Sequence, residues 1–367
     1  MMKVSDIVDC LEEAFPLSFQ ESYDNSGLQI GDRSAEVTGI LIAVDVDEAV
    51  LTEAIETGCN MVVTHHPLLF NAVKRLGNSS YIERSIRLAA RHDLHVYAAH
   101  TNADNALPGI NSILAEHLGL ENCLPLIPLK NKLRKLVTFV PANHIRSVQN
   151  AIWQAGAGEI GAYDCCSYQI EGLGSFRPGQ ETHPHTGEEG KLCVVPETCI
   201  STIFPAHKES QIVEVLCKAH PYEEPAFDIV SLDNSWDTQG GGLIGLLPRP
   251  IPYIEFLHQI KRLLSADRLC YSRPKFPDQL IQRVAICGGS GAFMYKSAMQ
   301  KKADIFLTGE AKYNDFYDAV DGPMLVTAGH YETEQYATEL FQRTLLQKFP
   351  NFVIRISVRI SNPVNYL

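Results

Sequence analysis

Short, largely apolar runs that break off into polar clusters set the strongest limit on how this chain can fold. They are GILIAVDV (Gly39–Val46), NMVVT (Asn60–Thr64), LHVYAA (Leu94–Ala99), RVAIC (Arg283–Cys287), ADIFLT (Ala303–Thr308) and PMLVTA (Pro323–Ala328). Runs of this length, apolar on both faces, read as buried parallel strands. Asp47–Thr57, Tyr81–His92, Ile254–Leu264 and Tyr295–Lys301 read as helices set among them. That alternation predicts an α/β layer. The two ends of the chain also resemble one another. Ile42 stands 22 residues before Thr64, and Ile286 stands 22 before Thr308. Each interval reads strand, helix, small-residue turn and strand, so one core made of two similar halves is expected.

Between the halves the pattern changes. LPLIPLK (Leu124–Lys130) reads as a connection and DNSWDTQGGG (Asp233–Gly242) as an exit linker. The strands expected between them are Lys135–Pro141, Tyr163–Gly172, Lys191–Ile200 and Pro225–Leu232. The helices are one capped by Asn143 and running to about Ala155, and one over His207–Ala219. The order βαββαβ is that of a ferredoxin-like module. The expected domains are therefore residues 1–130, 131–233 and 234–367, the middle one inserted between two halves of a core.

At 367 residues the chain exceeds what one hydrophobic core usually serves. Its net charge of −12 speaks against wrapping nucleic acid or an anionic membrane, which needs clustered Lys and Arg. A phosphate-bearing substrate stays compatible, because bound cations invert the local sign. Ten cysteines are scattered without a CxxC pair, which reads as buried reduced thiols rather than a disulfide framework. The start, MMKVSDIVDCLEEAF, has acids among its apolar positions and reads as an amphipathic helix, not a signal peptide. No apolar run reaches the length of a membrane span. The cytosol is the expected compartment.

Parallel strands present ligand groups just past their carboxyl ends. Four ends carry clusters: Thr64-His65-His66; His100-Thr101-Asn102 with Asp104; Thr308-Gly309-Glu310; and Gly329-His330 with Glu332 and Glu334. Adjacent histidines within a strand point to opposite faces, so His65 and His66 share a site only if the chain has left strand geometry, which Pro67 favours. The alternative is a pair of surface histidines. His330 and Glu334, four apart, project from one face if a helix starts after Gly329. Glu332 lies off that face and reads as a solvated first-turn acid. Asp104 is either a ligand or the cap of a helix near Asn111. His65, His66, Asp104, His330 and Glu334 offer three imidazoles and two carboxylates. These are too many for one tetrahedral zinc with an open position, and they suit two divalent ions. The donor mixture fits zinc, iron, manganese or cobalt.

Other features read as structural. His92 and His95 read as surface residues, His183 and His185 as exposed loop residues, and His220 as a cap of the module's second helix. GGSG (Gly288–Gly291) reads as a tight turn in preference to a phosphate cradle.

SYDNSGLQIG, THHPLLF, HTNADNALPGIN, TGEAKYND and GHYETEQYA resemble, in order, the signatures of the Nif-three-like family, also labelled GTP cyclohydrolase I type 2 homologs. GLGSFRPG and HPYEEPAFDI resemble the CutA-like insert of its longer bacterial members. The resemblance spans essentially the whole chain. It implies a toroidal homohexamer, a dinuclear site on its inner wall, and the same five ligands, with zinc the ion expected in the isolated protein. It also implies metal-dependent hydrolysis with GTP as substrate; a phosphoesterase and a non-catalytic metal-binding regulator are the alternatives. Family members commonly carry His where this chain has Asn314, which cannot relay a proton. His100 and Glu310 are then the candidates for proton transfer, with support of the ligands as their competing role.

Overall fold

The computed structural model describes residues 2–359 and 361–367. The chain divides into two compact units, Met1–Pro128 with Thr238–Leu367, and Leu129–Asp237. In chain order the elements up to residue 130 are α1 (Val4–Ala14), β1 (Gly27–Ile30), β2 (Ile40–Ala43), α2 (Glu48–Glu56), β3 (Met61–Thr64), α3 (Tyr81–Arg91), β4 (His95–Ala98), α4 (Thr101–Asp104), α5 (Ile110–His117) and β5 (Glu121–Lys130). Next come β6 (Leu133–Pro141), α6 (Ile145–Gln154), β7 (Tyr168–Phe176), β8 (Cys193–Pro205), α7 (Glu209–Ala219) and β9 (Phe227–Leu232). The remainder is β10 (Ser235–Pro252), α8 (Tyr253–Leu263), β11 (Cys270–Tyr271), β12 (Leu280–Cys287), α9 (Tyr295–Gln300), β13 (Ile305–Thr308), α10 (Tyr313–Asp318), β14 (Met324–Thr327), α11 (His330–Glu334), α12 (Ala337–Lys348) and β15 (Ile354–Ile356).

Two sheets form the larger unit. One has the order β1-β4-β3-β2-β15, the other β11-β14-β13-β12-β10-β5. In the first, four neighbouring strands run parallel, β15, β2, β3 and β4; in the second, three do, β12, β13 and β14. Ala43 pairs with Thr64 and Cys287 pairs with Thr308, an offset of 21 residues in both halves. The spacing seen in the sequence is therefore one strand register used twice. The strands are apolar throughout because both faces are covered. Leu41, Val62 and Val96 pack with Val50 and Leu51 of α2. Val284, Ile305 and Val326 pack under Phe256 and Ile260 of α8, while Ala285, Phe306 and Leu325 meet Tyr295 and Ala298 of α9. Helix starts follow the capping chemistry: the Asp47 carboxylate accepts from Val50 N at 2.9 Å, and Ser80 Oγ accepts from Glu83 N at 3.2 Å.

The smaller unit contains an antiparallel sheet of order β7-β8-β6-β9. Leu136, Val140 and Ile200 on one face pack with Val148 and Ile152 of α6 and Ile212 and Leu216 of α7.

Several expected elements shift. Leu124–Lys130 is not a connection but part of β5. Its prolines are tolerated because β5 is the edge strand, where a missing N–H breaks no ladder. The glycine run after Asp233 is likewise strand, in β10; a Cβ on Gly240 would stand 2.2 Å from Ile127 O, so the glycine permits close backbone approach. β7 begins at Tyr168 rather than Tyr163, because Cys165 takes a left-handed φ of 53° and breaks the extended run. Asn143 lies in a 3-10 turn, and His144 takes the cap position of α6. All ten cysteines are free; Cys10, Cys59 and Cys287 are buried, whereas Cys165, Cys217 and Cys270 are exposed, which corrects the uniform burial expected. Among the described residues no helix is long and apolar enough to cross a membrane.

The Gly240 contact can be tested. Gly240→Ala should lower unfolding free energy by about 2 kcal/mol or more, through a backbone clash. Gly119→Ala, where a Cβ meets nothing within 4 Å, should cost only about 1 kcal/mol from its positive φ. Urea melts showing equal losses would contradict the close approach.

Candidate metal centre

The side chains that line the centre leave the ends of parallel strands. His65 and His66 follow β3, and their two backbone N–H groups both donate to Val44 O, at 3.1 and 2.9 Å. The chain bends there, so both rings fall on one side, 4.8 Å apart between centroids. His100 follows β4, Asp104 ends α4, and His330 and Glu334 open and close α11, entered through Gly329 at φ 104°. His330 and Glu334 thus share a helical face.

The rings are oriented alike. His65 Nδ1 lies 2.9 Å from Ala99 O, His66 Nδ1 2.7 Å from Asp45 Oδ1, His100 Nδ1 2.7 Å from Asp24 Oδ1, and His330 Nδ1 3.2 Å from Glu310 Oε1. Each Nδ1 faces an oxygen that can only accept when ionised or carbonyl, so it carries the proton and Nε2 is left as a donor to a cation. Those Nε2 atoms converge. His66 Nε2 and His330 Nε2 are 3.2 Å apart, and Glu334 Oε2 is 3.0 Å from the first and 3.1 Å from the second. His65 Nε2 is buried and makes no hydrogen bond among the described residues; Glu334 Oε1 lies 3.5 Å from it. Ligand atoms of His65, Asp104 and Glu334 lie within 4.8 Å of one another, as do those of His65, His66 and His100.

This donor set fits a divalent ion. Two lone pairs facing each other at 3.2 Å beside a carboxylate repel unless a positive charge sits among them. The edges of the His66–His330–Glu334 triangle approach the roughly 3.3 Å that separates neighbouring donors around a tetrahedral ion with bonds of about 2.05 Å. Without a metal, protons take that part. Burial alone would lower the His66 pKa, but hydrogen bonds to Asp45 and Glu334 hold it at about 10. Burial likewise opposes ionisation of Glu334, yet the three histidines keep its carboxyl well below the usual range. Asp104 is pushed up to about 7 by burial. Asp24 is held well below the normal range by His100 and Thr101 in spite of its burial.

The turn at Gly288–Gly291 forms the floor. A Cβ on Gly289 would stand 2.1 Å from Glu334 Oε1 and 3.3 Å from His330 Nε2. Three of its four amides are already spent: Gly288 N donates to Asn111 Oδ1, Gly289 N to Thr333 Oγ1 and Gly291 N to Thr308 Oγ1. Beside the cluster opens a cavity of about 610 Å³, bordered by His66, His330, Glu310, Arg268, Phe316 and Tyr366.

All five expected ligands meet here, and His100 joins them, its ring 5.2 Å from that of His65. Glu310 stands at the rim, orienting His330 and accepting from Ser290 Oγ at 2.9 Å. Asn314 lies exposed on α10. Glu332 departs from expectation: it is buried, with Asn362 Nδ2 3.2 Å from its Oε1, because the chain after β15 returns over that face of α11. His95 is also buried, not on the surface, since Gly31 leaves room for its ring. Asp24 and Asp45 were missed. Asp45 follows β2 and lay within reach of the rule that singled out the other strand ends. Asp24 had only the SYDNSG motif to mark it.

The family model for Duf34/NIF3 (NGG1p interacting factor 3) matches residues 2–363. A Halalkalibacterium halodurans protein named GTP cyclohydrolase 1 type 2 homolog is 36% identical over 336 residues, 90% of this chain and 89% of the relative. A Bacillus subtilis protein of the same name is 33% identical, with 98% of both chains covered. The crystal structure of a Bacillus cereus protein related to NIF3 superposes with a TM-score of 0.86 at 34% identity, covering 100% of this chain and 99% of that one.

Two outcomes follow for metal binding. A cation takes only unprotonated Nε2, so with His66 near 10 the apparent affinity should rise with pH across the neutral range, and binding should release at least about one proton. Calorimetry in buffers of different ionisation enthalpy reads this directly, and zero proton release would contradict it. Glu334→Gln should also lower bound metal at least about 100-fold in affinity, while Glu332→Gln, which points away from the cluster, should leave it within about 3-fold. Equal losses would contradict the assignment of the two faces of α11.

Proposed function

The chain belongs to the Duf34/NIF3 family, and from its convergent imidazoles we propose that it is a dinuclear metal-binding protein acting as a metal-dependent hydrolase on a phosphate-bearing nucleotide, GTP first. The His66–His330–Glu334 triangle carries this reading. These three residues would hold one ion. His65 and Asp104, with the other oxygen of Glu334, would hold the second, and His100 is within reach of it. Zinc is the expected ion, with iron, manganese or cobalt served by the same donors. Ions held in this way act as Lewis acids toward a phosphoryl or carbonyl oxygen and lower the pKa of water.

The chain's own groups do the rest. Asp24 and Asp45, each hydrogen-bonded to a ring Nδ1, fix tautomer and direction for His100 and His66. Glu310, more than half exposed on the cavity rim, is placed to exchange a proton with substrate or solvent. Arg268 supplies a positive charge to a cavity whose acids are Asp45, Glu310 and Glu332, and suits an anionic substrate. The names of the two relatives support GTP as the first substrate to try. We further read Leu129–Asp237 as a ferredoxin-like insert, the assembly as a homohexamer and the compartment as cytoplasmic.

Elemental analysis of protein purified without added metal should give about two transition-metal ions per chain. The loaded protein should open the GTP ring, or release phosphate from a phosphoester panel. Glu334→Gln should abolish that activity, and Glu310→Gln should reduce it about 10²-fold with metal content unchanged. Full metal occupancy with no turnover of GTP or any phosphoester would instead identify a metal-binding regulatory protein.

A further inference from the structure

A second cavity, of about 570 Å³, lies wholly within Leu129–Asp237, and two motifs that the metal centre leaves unused meet in it. One wall is the whole of GLGSFRPG (Gly172–Gly179). The facing wall is Tyr222, Glu223, Glu224 and Ala226, from HPYEEPAF. Strand register explains the open face. Phe139, Cys199 and Ile170 form one row across β6, β8 and β7, and Pro141, Glu197 and Gly172 form another. Alternation turns these rows away from Leu136, Val140 and Ile200, which pack under the helices.

The face is kept open by design of the sequence. A Cβ on Gly174 would lie 1.9 Å from Glu197 Oε2, so glycine leaves the space that this carboxylate uses. Tyr222 Oη donates to Glu197 Oε1 at 2.7 Å. Tyr222 is itself pinned, since its backbone N–H donates to His220 Nδ1 at 3.1 Å while His220 Nε2–H donates to Phe139 O at 3.0 Å. The buried His220 ring is therefore neutral and held in one tautomer, with burial lowering its pKa. The Phe176 ring lies 6.0 Å from that of Tyr222. Three carboxylates, Glu197, Glu223 and Glu224, line it against the single guanidinium of Arg177.

Aromatic walls, an acidic lining and a volume within the usual ligand range select for one ligand chemistry. We propose that this cavity binds a small organic cation, with its apolar body among Phe139, Phe176 and Tyr222 and its ammonium group facing Glu197. An anion of the same shape meets a net excess of carboxylates and is rejected. None of its lining residues is one of the proposed metal ligands, and the proposal stands whether or not the chain is a hydrolase.

Titration of the full-length protein with phenethylammonium, followed by ligand-observed magnetic resonance and calorimetry, is the test; phenylacetate serves as the counterpart of opposite charge. Saturable phenethylammonium binding in the low-millimolar range or tighter is expected for so small a probe. Glu197→Gln should weaken it about 10-fold or more, with the far-ultraviolet spectrum and metal content unchanged. Phenylacetate should show no saturation. Saturable binding of phenylacetate at equal or higher affinity would overturn the proposal and hand recognition to Arg177. Absence of saturable phenethylammonium binding, or binding undiminished in a folded Glu197→Gln protein, would overturn it as well.

Discussion

One carboxylate organises the core of this protein. Glu334 is almost fully buried, and water does not solvate its charge. A buried carboxylate is stable only when paired, and here the partners are imidazole nitrogens from His65, His66 and His330. Those rings come from the ends of β3 and β14, strands in two different sheets. Glu334 therefore ties the two halves of the core through charge as well as through apolar packing. The floor at Gly289 must be glycine for the carboxylate to reach its place. Asp24, Asp45, Ala99 and Glu310 complete the arrangement from behind by setting the proton on each Nδ1. Removing Glu334 would leave three imidazoles converging on empty space, which is why its effect reaches beyond one ligand.

The parallel strands and their polar ends were legible from sequence because both periodicities are simple. A strand covered on both faces is apolar at every position, and the chain becomes polar where it leaves the sheet. The pairing of His330 with Glu334 was legible because helical geometry puts residues four apart on one face. Adjacent His65 and His66 needed a bend, and the shared acceptor Val44 O provides it. Glu332 was misjudged for a different reason. Its burial depends on Asn362, thirty residues away, and no local rule foresees which segment returns over a helix. The prolines of β5 and the glycines of β10 were read as breaks because their tolerance depends on edge position and close approach, both tertiary facts. Asp24 belongs to the same class, since it reaches His100 across 76 residues.

The acidic composition, which speaks against wrapping nucleic acid, takes on a local meaning in the structure. Acids crowd the histidine cluster and its cavity, where cations would offset them, and other acids line the separate cavity of the smaller unit. The first group is arranged around buried nitrogens with fixed tautomers, and the second around aromatic rings. On the two proposed readings the same residue type would serve two ligand chemistries according to its neighbours.

The central claim is that Glu334 stands between two cations. Anomalous diffraction from a crystal of the metal-loaded protein, recorded on both sides of the absorption edge, tests it most directly. The account predicts two anomalous peaks per chain, one bounded by His66, His330 and Glu334 and the other by His65, Asp104 and Glu334, about 3.5–4 Å apart. A single peak at full metal loading, or peaks remote from Glu334, would contradict it.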